Sequence, residues 1–388
     1  MQTMQPKWKP DVHPVFVTGR SYLCSKSIAA MMTLYPLILL LTCFFFLRPG
    51  TTAACTAFCM HSQEKFFLAK NLDWEIGNGM LVINKRGVFK TAFTPRQKKI
   101  SWTSRFGNVT FNQFGKEFPL GGMNEAGLVI EELNSWGKPA ISDSVYTLNE
   151  FQWVQYHLDN FATVSEMIGN EPFLFMVPLF LNLHYLIADK TGDVAIIEFH
   201  DNRVVIYHGN DVIIPVLSNN HYAQSLEYLK KFRGFGGDML IPEESTSGER
   251  FVRAASLLEK SDVSKYASPA ASAFSVLDSV RQVDTKWSIV YDLSGRRIHF
   301  KTPESDGSYT VDLEPLDFAC STQTLFIDIN PPVSGFNNED LHELDERKNR
   351  DYLIDLHDRY NRFEPGILSR EILMEMADYA YSVQCRSR

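Results

Sequence analysis

The chain has 388 residues, 45% hydrophobic and 22% charged, with a formal net charge of −8. That is an ordinary globular composition, and the acidic balance argues against nucleic acid as the main partner. No internal repeat and no low-complexity tract is present.

The first segment reads as a leader, residues 1–54. Lys7, Lys9, Arg20 and Lys26 precede an apolar run from Ile28 to Leu47, interrupted by Pro36. This is the pattern of a basic n-region before a signal peptide or a membrane anchor, and the run is long enough to span a bilayer. Thr52 and Ala54 are the small residues a signal peptidase accepts at the third and first positions before its cut. Cleavage there would make Cys55 the first residue of an exported, periplasmic or secreted protein. Without cleavage the leader would be the chain's only membrane contact. A lipid on Cys55 is disfavoured, because Thr52 stands where a lipobox usually has Leu.

The next third reads as β-structure. Apolar runs at Cys55–His61 and Lys65–Asn71 are separated by Ser62-Gln63-Glu64, a hairpin spacing. Further strands are expected at Leu81–Lys85, Val88–Phe93, Ile100–Thr103 and Asn108–Phe114. Gly121–Gly127 is a turn cluster, followed by a strand at Leu128–Leu133. Asn108-Val109-Thr110 is a glycosylation sequon, meaningful only in a eukaryotic secretory pathway.

The period then changes. Leu148, Phe151, Val154 and Leu158 recur at helical spacing, and Thr163-Val164-Ser165-Glu166 is a capping box opening a helix that ends near Gly169. Phe173–Leu183 is strongly apolar but broken by Pro178 and Asn182; it reads as buried core, and as a candidate wall of an acyl pocket. Strands return at Tyr185–Ala188, Val194–Phe199, Val204–Tyr207 and Val212–Leu217. Helical patterns follow at His221–Phe232, Glu249–Leu258 and Ala271–Val283, then strands at Trp287–Leu293, Arg297–Lys301 and Tyr309–Leu313. The last part, 341–388, is a charged helical extension ending in Arg370–Val383; its Glu343–Asp351 charge run reads as a solvated helix face or linker. Residues 55–340 form the main domain, with the extension packed on it. Hairpins and helices in alternating groups predict an α+β protein of layered antiparallel sheets rather than a doubly wound fold.

Six cysteines are present. Cys24 and Cys43 fall in the leader; Cys55, Cys59, Cys320 and Cys385 follow it, at spacings that match no zinc pattern. An exported chain could join Cys320 to Cys385, although spacing does not establish it.

Cys55 carries the most chemistry. Freed at the N-terminus it would hold a thiol and an α-amine on one residue, with unperturbed pKa values of about 8.5 and about 7.7–8.0. The amine could then act as base for its own side chain. The hairpin brings Asp73, at the end of the partner strand, near Cys55, where it could hold the α-ammonium; Lys70 could lower the thiol pKa by its charge. His157, His184 and His221 offer a competing Cys–His arrangement, without distinctive spacing.

Cys55-Thr56, Ala69-Lys70-Asn71-Leu72-Asp73, Gly122-Met123-Asn124-Glu125-Ala126-Gly127-Leu128, Glu132-Leu133-Asn134, Val216-Leu217-Ser218-Asn219-Asn220 and Ser247-Gly248-Glu249-Arg250-Phe251 occur in this order. Together they resemble the choloylglycine hydrolase family, which includes bile salt hydrolases, penicillin V acylases and related linear amide hydrolases. The resemblance implies an N-terminal-nucleophile hydrolase fold, a four-layer αββα sandwich of antiparallel sheets. It implies catalytic roles for Cys55 as nucleophile, Asp73 as holder of its amine, Asn219 and the Asn134 backbone as oxyanion donors, and Arg250 beside the thiol. It implies a small-molecule N-acyl amide substrate, no metal or organic cofactor, and a homo-oligomer, often a tetramer. Lys70 stands where bile salt hydrolases frequently carry Arg, and the first hairpin is one residue short; both departures count against bile salts. Trp74, Trp136, Phe173, Phe175 and Phe180 are candidate pocket residues. The alternative is a signal-anchored surface binding protein that kept the fold without catalysis.

Overall fold

The computed structural model describes residues 54–386 apart from 63, 95–98, 137–146, 171–174, 201–202, 244–245, 261–265, 305–306, 331–339 and 367. Residues 1–53 of the segment 1–54 read as a leader, and the pocket candidate Phe173, therefore lie outside the described residues, as does the side chain of Phe175.

Two antiparallel sheets hold the fold. The first has six strands in the spatial order Val216–Leu217, Thr56–Ser62, Lys65–Asp73, Thr285–Asp292, Arg297–Lys301 and Tyr309–Asp312. The second has nine, in the order Arg203–His208, Val194–His200, Leu183–Ala188, Val129–Asn134, Gly121–Asn124, Asn108–Asn112, Met80–Asn84, Leu325–Asp328 and His342–Glu343. Strand Thr56–Ser62 also touches Val129–Asn134 and Leu183–Ala188, so the sheets face each other. Helices Ser247–Lys260 and Pro269–Ser279 cover the first sheet, and Glu150–Asn160 covers the second. The layer order is helix, sheet, sheet, helix, as the resemblance implies.

A strand buried on both faces has no reason to alternate polar and apolar residues. Met80–Asn84 and Leu183–Ala188 are buried at every position, which is why neither alternates polar and apolar residues. The helix starts follow capping chemistry. The Asn149 side chain accepts from the Phe151 and Gln152 N–H groups. Thr163 Oγ1 accepts from Glu166 N at 3.1 Å, and Glu166 answers by accepting from Ala162 N at 2.7 Å.

Some expectations change. Gly121–Asn124 is a strand of the second sheet, and the turn begins only after it. Glycine is required there by its neighbours: a Cβ on Gly121 would meet the Glu131 carboxylate at 2.3 Å, and one on Gly122 the Val109 carbonyl at 2.4 Å. Val212–Leu217 shortens to Val216–Leu217. Strands Leu325–Asp328 and His342–Glu343, short and interrupted in pattern, are additions. The sequon asparagine Asn108 is fully buried, donating to Asp159 Oδ1 at 2.9 Å and accepting from Asn84 at 2.9 Å, so the folded chain cannot present it to a glycosyltransferase.

Helices Glu346–Phe363 and Arg370–Ser382 pack on each other. They place Leu353, Leu356, Tyr360, Leu373 and Met376 in the same apolar core as the two sheets. Their charges stay on the solvated side, as in the Arg350–Glu346 pair at 3.7 Å. Strand Gln384–Cys385 pairs with Val88 and Phe89, and a Cys320–Cys385 disulfide fastens it. Among the described residues no helix is long and apolar enough to cross a membrane.

Candidate active site

The first hairpin occupies the middle of the six-stranded sheet, between Val216–Leu217 and Thr285–Asp292. Its register sets Thr56 against Asn71, and Ala54 N donates to the Asp73 carbonyl at 3.3 Å. Cys55 is thereby held at the sheet end, 2% exposed.

Arg250 organises this end. It rises from the helix Ser247–Lys260, fully buried. Its guanidinium donates to the Cys55 carbonyl at 2.6 Å, to the Thr56 hydroxyl, and to Asn219 Oδ1 at 2.9 Å. Asp73 Oδ2 lies 3.9 Å from the same guanidinium. Asn219, at the end of the short strand beside the hairpin, donates from Nδ2 to the Asn134 carbonyl at 2.8 Å. Asn134 itself closes the strand Val129–Asn134 of the opposite sheet. Cys55, Asp73, Asn134, Asn219 and Arg250 thus converge from five separated points of the chain.

Asp73 is the most unusual member. Its Oδ1 accepts from the Thr285 hydroxyl, while Oδ2 is buried with no hydrogen-bond donor. Burial pushes its carboxyl up to about 7, against the pull of Thr285 and Arg250. An ionised carboxylate without a donor in such a place is costly.

Lys70 sits in a network with two acidic residues. Its ammonium, almost fully buried, sits 2.9 Å from both Glu131 Oε2 and Glu132 Oε1. Burial works against its charge, but the two carboxylates outweigh it and hold the ammonium firmly protonated. Glu131 also accepts from the Tyr291 hydroxyl. Lys70 does pull the Cys55 thiol down, but burial dominates and pushes that thiol up to about 12 in the chain with Ala54 still attached. Consecutive Glu131-Glu132 in an apolar strand, facing a lysine in another apolar strand, was the signal for this network.

A cleft beside Cys55 is lined by Leu72, Trp74, Leu120, Leu181 and Leu183, with Gln113, Glu132 and Asn134 as its polar groups. Its free volume, ≈ 10 Å³, is that of about one water. Trp74 is held in place by donating to Tyr360 Oη at 2.6 Å, and Tyr360 donates to Gln113 Oε1 at 2.8 Å. The C-terminal extension therefore braces the cleft wall. The other aromatic candidates behave differently. Trp136 is 51% exposed, and Phe180 stacks on Phe114 at 5.6 Å outside the cleft lining. Its neighbour Leu181 takes the lining position; buried Glu150 fixes this loop by accepting from the N–H groups of Leu179, Phe180 and Leu181 at 2.7–3.0 Å. His157, His184 and His221 are absent from the cleft lining. Leu181 and Leu183 come from the apolar run read as a candidate pocket wall, whereas Thr285 and Gln113 were not singled out, because each is an ordinary residue made important by its partner.

The family model for linear amide C–N hydrolases of the choloylglycine hydrolase family matches residues 55–325. The chain belongs to this family. In sequence the chain is similar to penicillin V acylase of Pectobacterium atrosepticum, with 26% identity over 321 residues, covering 70% of this chain and 84% of the relative. In structure it is similar to penicillin V acylase from Agrobacterium tumefaciens, with a TM-score of 0.64 and 26% identity, covering 75% of this chain and 98% of the other. A conjugated bile acid hydrolase from Clostridium perfringens shares the fold, with a TM-score of 0.57 at 17% identity, covering 73% and 99%. As a member of this family the chain is an enzyme acting on carbon–nitrogen bonds in linear amides, and the family match begins at Cys55 itself.

Proposed function

We propose that this hydrolase is exported, loses its leader after Ala54, and cleaves N-acyl amides through a thioester on Cys55. The observation that carries this reading is the buried Asp73 Oδ2 without a donor. The α-ammonium created by a cut before Cys55 supplies such a donor and a compensating charge at the same sheet end. The Cys320–Cys385 disulfide supports an oxidising compartment.

The chemistry follows from the groups present. The α-amine takes the Cys55 thiol proton, and the thiolate attacks the amide carbonyl. One Asn219 Nδ2 hydrogen is committed to the Asn134 carbonyl; the second serves the oxyanion, joined by a backbone N–H at Asn134. The α-ammonium passes its proton to the leaving amine, leaving an acyl thioester, and water hydrolyses that thioester to release the acid and restore the thiol. Arg250 fixes the Cys55 carbonyl and the Asn219 side chain, so nucleophile and oxyanion donor keep one geometry. Substrate access requires the cleft walls at Trp74 and Leu181 to part.

The substrate class favoured is an N-acyl compound with a slim apolar or aromatic acyl group, as in penicillin V. The 26% identity to penicillin V acylases supports it over a bulky steroid acid. The active form is proposed as a homotetramer, following the family resemblance. The test is hydrolysis of phenoxyacetyl, fatty acyl and bile acid amides by the exported protein and by Cys55→Ser. Turnover of phenoxyacetyl amides that Cys55→Ser loses supports the reading; equal turnover by both proteins overturns it.

A further inference from the structure

At the end of strand Val194–His200, away from the cleft, three side chains converge. Glu198 is fully buried, and its Oε1 accepts from the Tyr222 N–H at 3.0 Å and meets His184 Nδ1 at 3.1 Å. Its Oε2 is buried with no hydrogen-bond partner. His200 Nε2 lies 3.7 Å from that oxygen, and His221 Nδ1, also without a hydrogen-bond partner, lies 3.6 Å from Oε1. The two imidazole rings are 4.2 Å apart between centroids. One donor atom from each of Glu198, His200 and His221 falls within 4.8 Å of the other two.

We propose that Glu198, His200 and His221 form a binding site for a divalent transition metal of the zinc class. Two imidazoles and one carboxylate are donors that zinc, cobalt or nickel accept and that magnesium and calcium do not favour. Zinc–ligand bonds of about 2.0–2.2 Å in a tetrahedron put donors about 3.4 Å apart; here His200 faces Glu198 Oε2 at 3.7 Å and His221 faces Oε1 at 3.6 Å, and one donor atom of each, all within 4.8 Å, must draw together around the ion. The two histidine side chains are 18% and 19% exposed, so they have room to turn inward and the site keeps a path for the ion.

His184 is the outer partner that orients the carboxylate, an arrangement that raises metal affinity. None of the three ligands lines the cleft at Cys55. The ion therefore has a structural place: it joins the end of the nine-stranded sheet to His221, two residues beyond Asn219.

The experiment uses the full chain, stripped with a chelator and titrated with Co²⁺ as a visible probe. One equivalent should bind with ligand-field absorption and be displaced by Zn²⁺. His200→Ala and His221→Ala, both at partly exposed positions and checked for folding by circular dichroism, should each weaken binding about tenfold or more. Cys55→Ser should bind as the wild type does, excluding the thiol as ligand. No binding by folded wild type at millimolar Co²⁺, unchanged binding in both histidine variants, or loss in Cys55→Ser would each overturn the proposal.

Discussion

Arg250, fully buried, donates to the backbone carbonyl of Cys55 at 2.6 Å. The same guanidinium reaches Asn219 Oδ1 and faces Asp73 Oδ2. Arg250→Lys keeps the charge but cannot serve these partners together. It should lower kcat by about 100-fold, the usual cost of a misplaced nucleophile, while remaining folded. Arg250→Ala leaves the Cys55 carbonyl and the Asn219 side-chain oxygen without this donor and should cost about 1–3 kcal/mol of stability. Steady-state kinetics and denaturant unfolding separate the two effects.

Asn219 is expected to act mainly in the transition state. Asn219→Ala removes one oxyanion donor and should lower kcat by about 10²–10³-fold with little change in KM. A fall in kcat/KM that came only from a higher KM would reassign Asn219 to substrate binding.

Asp73 makes the uncut chain sensitive to pH. Its carboxyl, pushed by burial from 3.8 up to about 7, keeps its proton in the folded state after the unfolded chain has lost it. The stabilisation is full below about pH 4 and is lost as pH rises through about 7, with a slope of at most about 1.4 kcal/mol per pH unit. Asp73→Asn has no proton to lose, so in the uncut chain it should gain stability relative to wild type across that window. Urea unfolding at several pH values reads the difference. In the mature protein the neighbouring α-ammonium should pull Asp73 down and remove the effect.

Tyr360 tests the reach of the C-terminal extension into the cleft. Tyr360→Phe removes the acceptor for the Trp74 indole N–H and the donor to Gln113. It should cost about 1–3 kcal/mol and raise KM several-fold, with kcat changing less. An unchanged KM would show that the brace does not shape the substrate-binding wall.

Much of this site was legible before any coordinates. Cys55 and Asp73 follow from the hairpin spacing, and Asn134, Asn219 and Arg250 from the ordered motifs. What sequence could not give is the sign of an energy balance. Lys70 pulls the thiol down as its charge implies, yet burial of Cys55 outweighs that pull. The Gly121-Gly122 pair illustrates the same limit for the fold. Two glycines read as a turn, but here they clear space in a strand for Glu131 and for a close backbone neighbour. Of the aromatic candidates Trp74 lines the cleft, while Trp136 and Phe180 do not; beside it stand Leu181, whose backbone Glu150 holds, and Leu183 of the second sheet.

The central claim is that Cys55 works as a free N-terminal residue. The most direct measurement is mass spectrometry of the N-terminal peptide from active, exported enzyme trapped with a slow N-acyl substrate. The account predicts a peptide that begins at Cys55, has an unblocked α-amine and carries the acyl group on sulfur. An active enzyme whose peptide runs through the Ala54–Cys55 bond, or whose Cys55 amine is blocked, would contradict it.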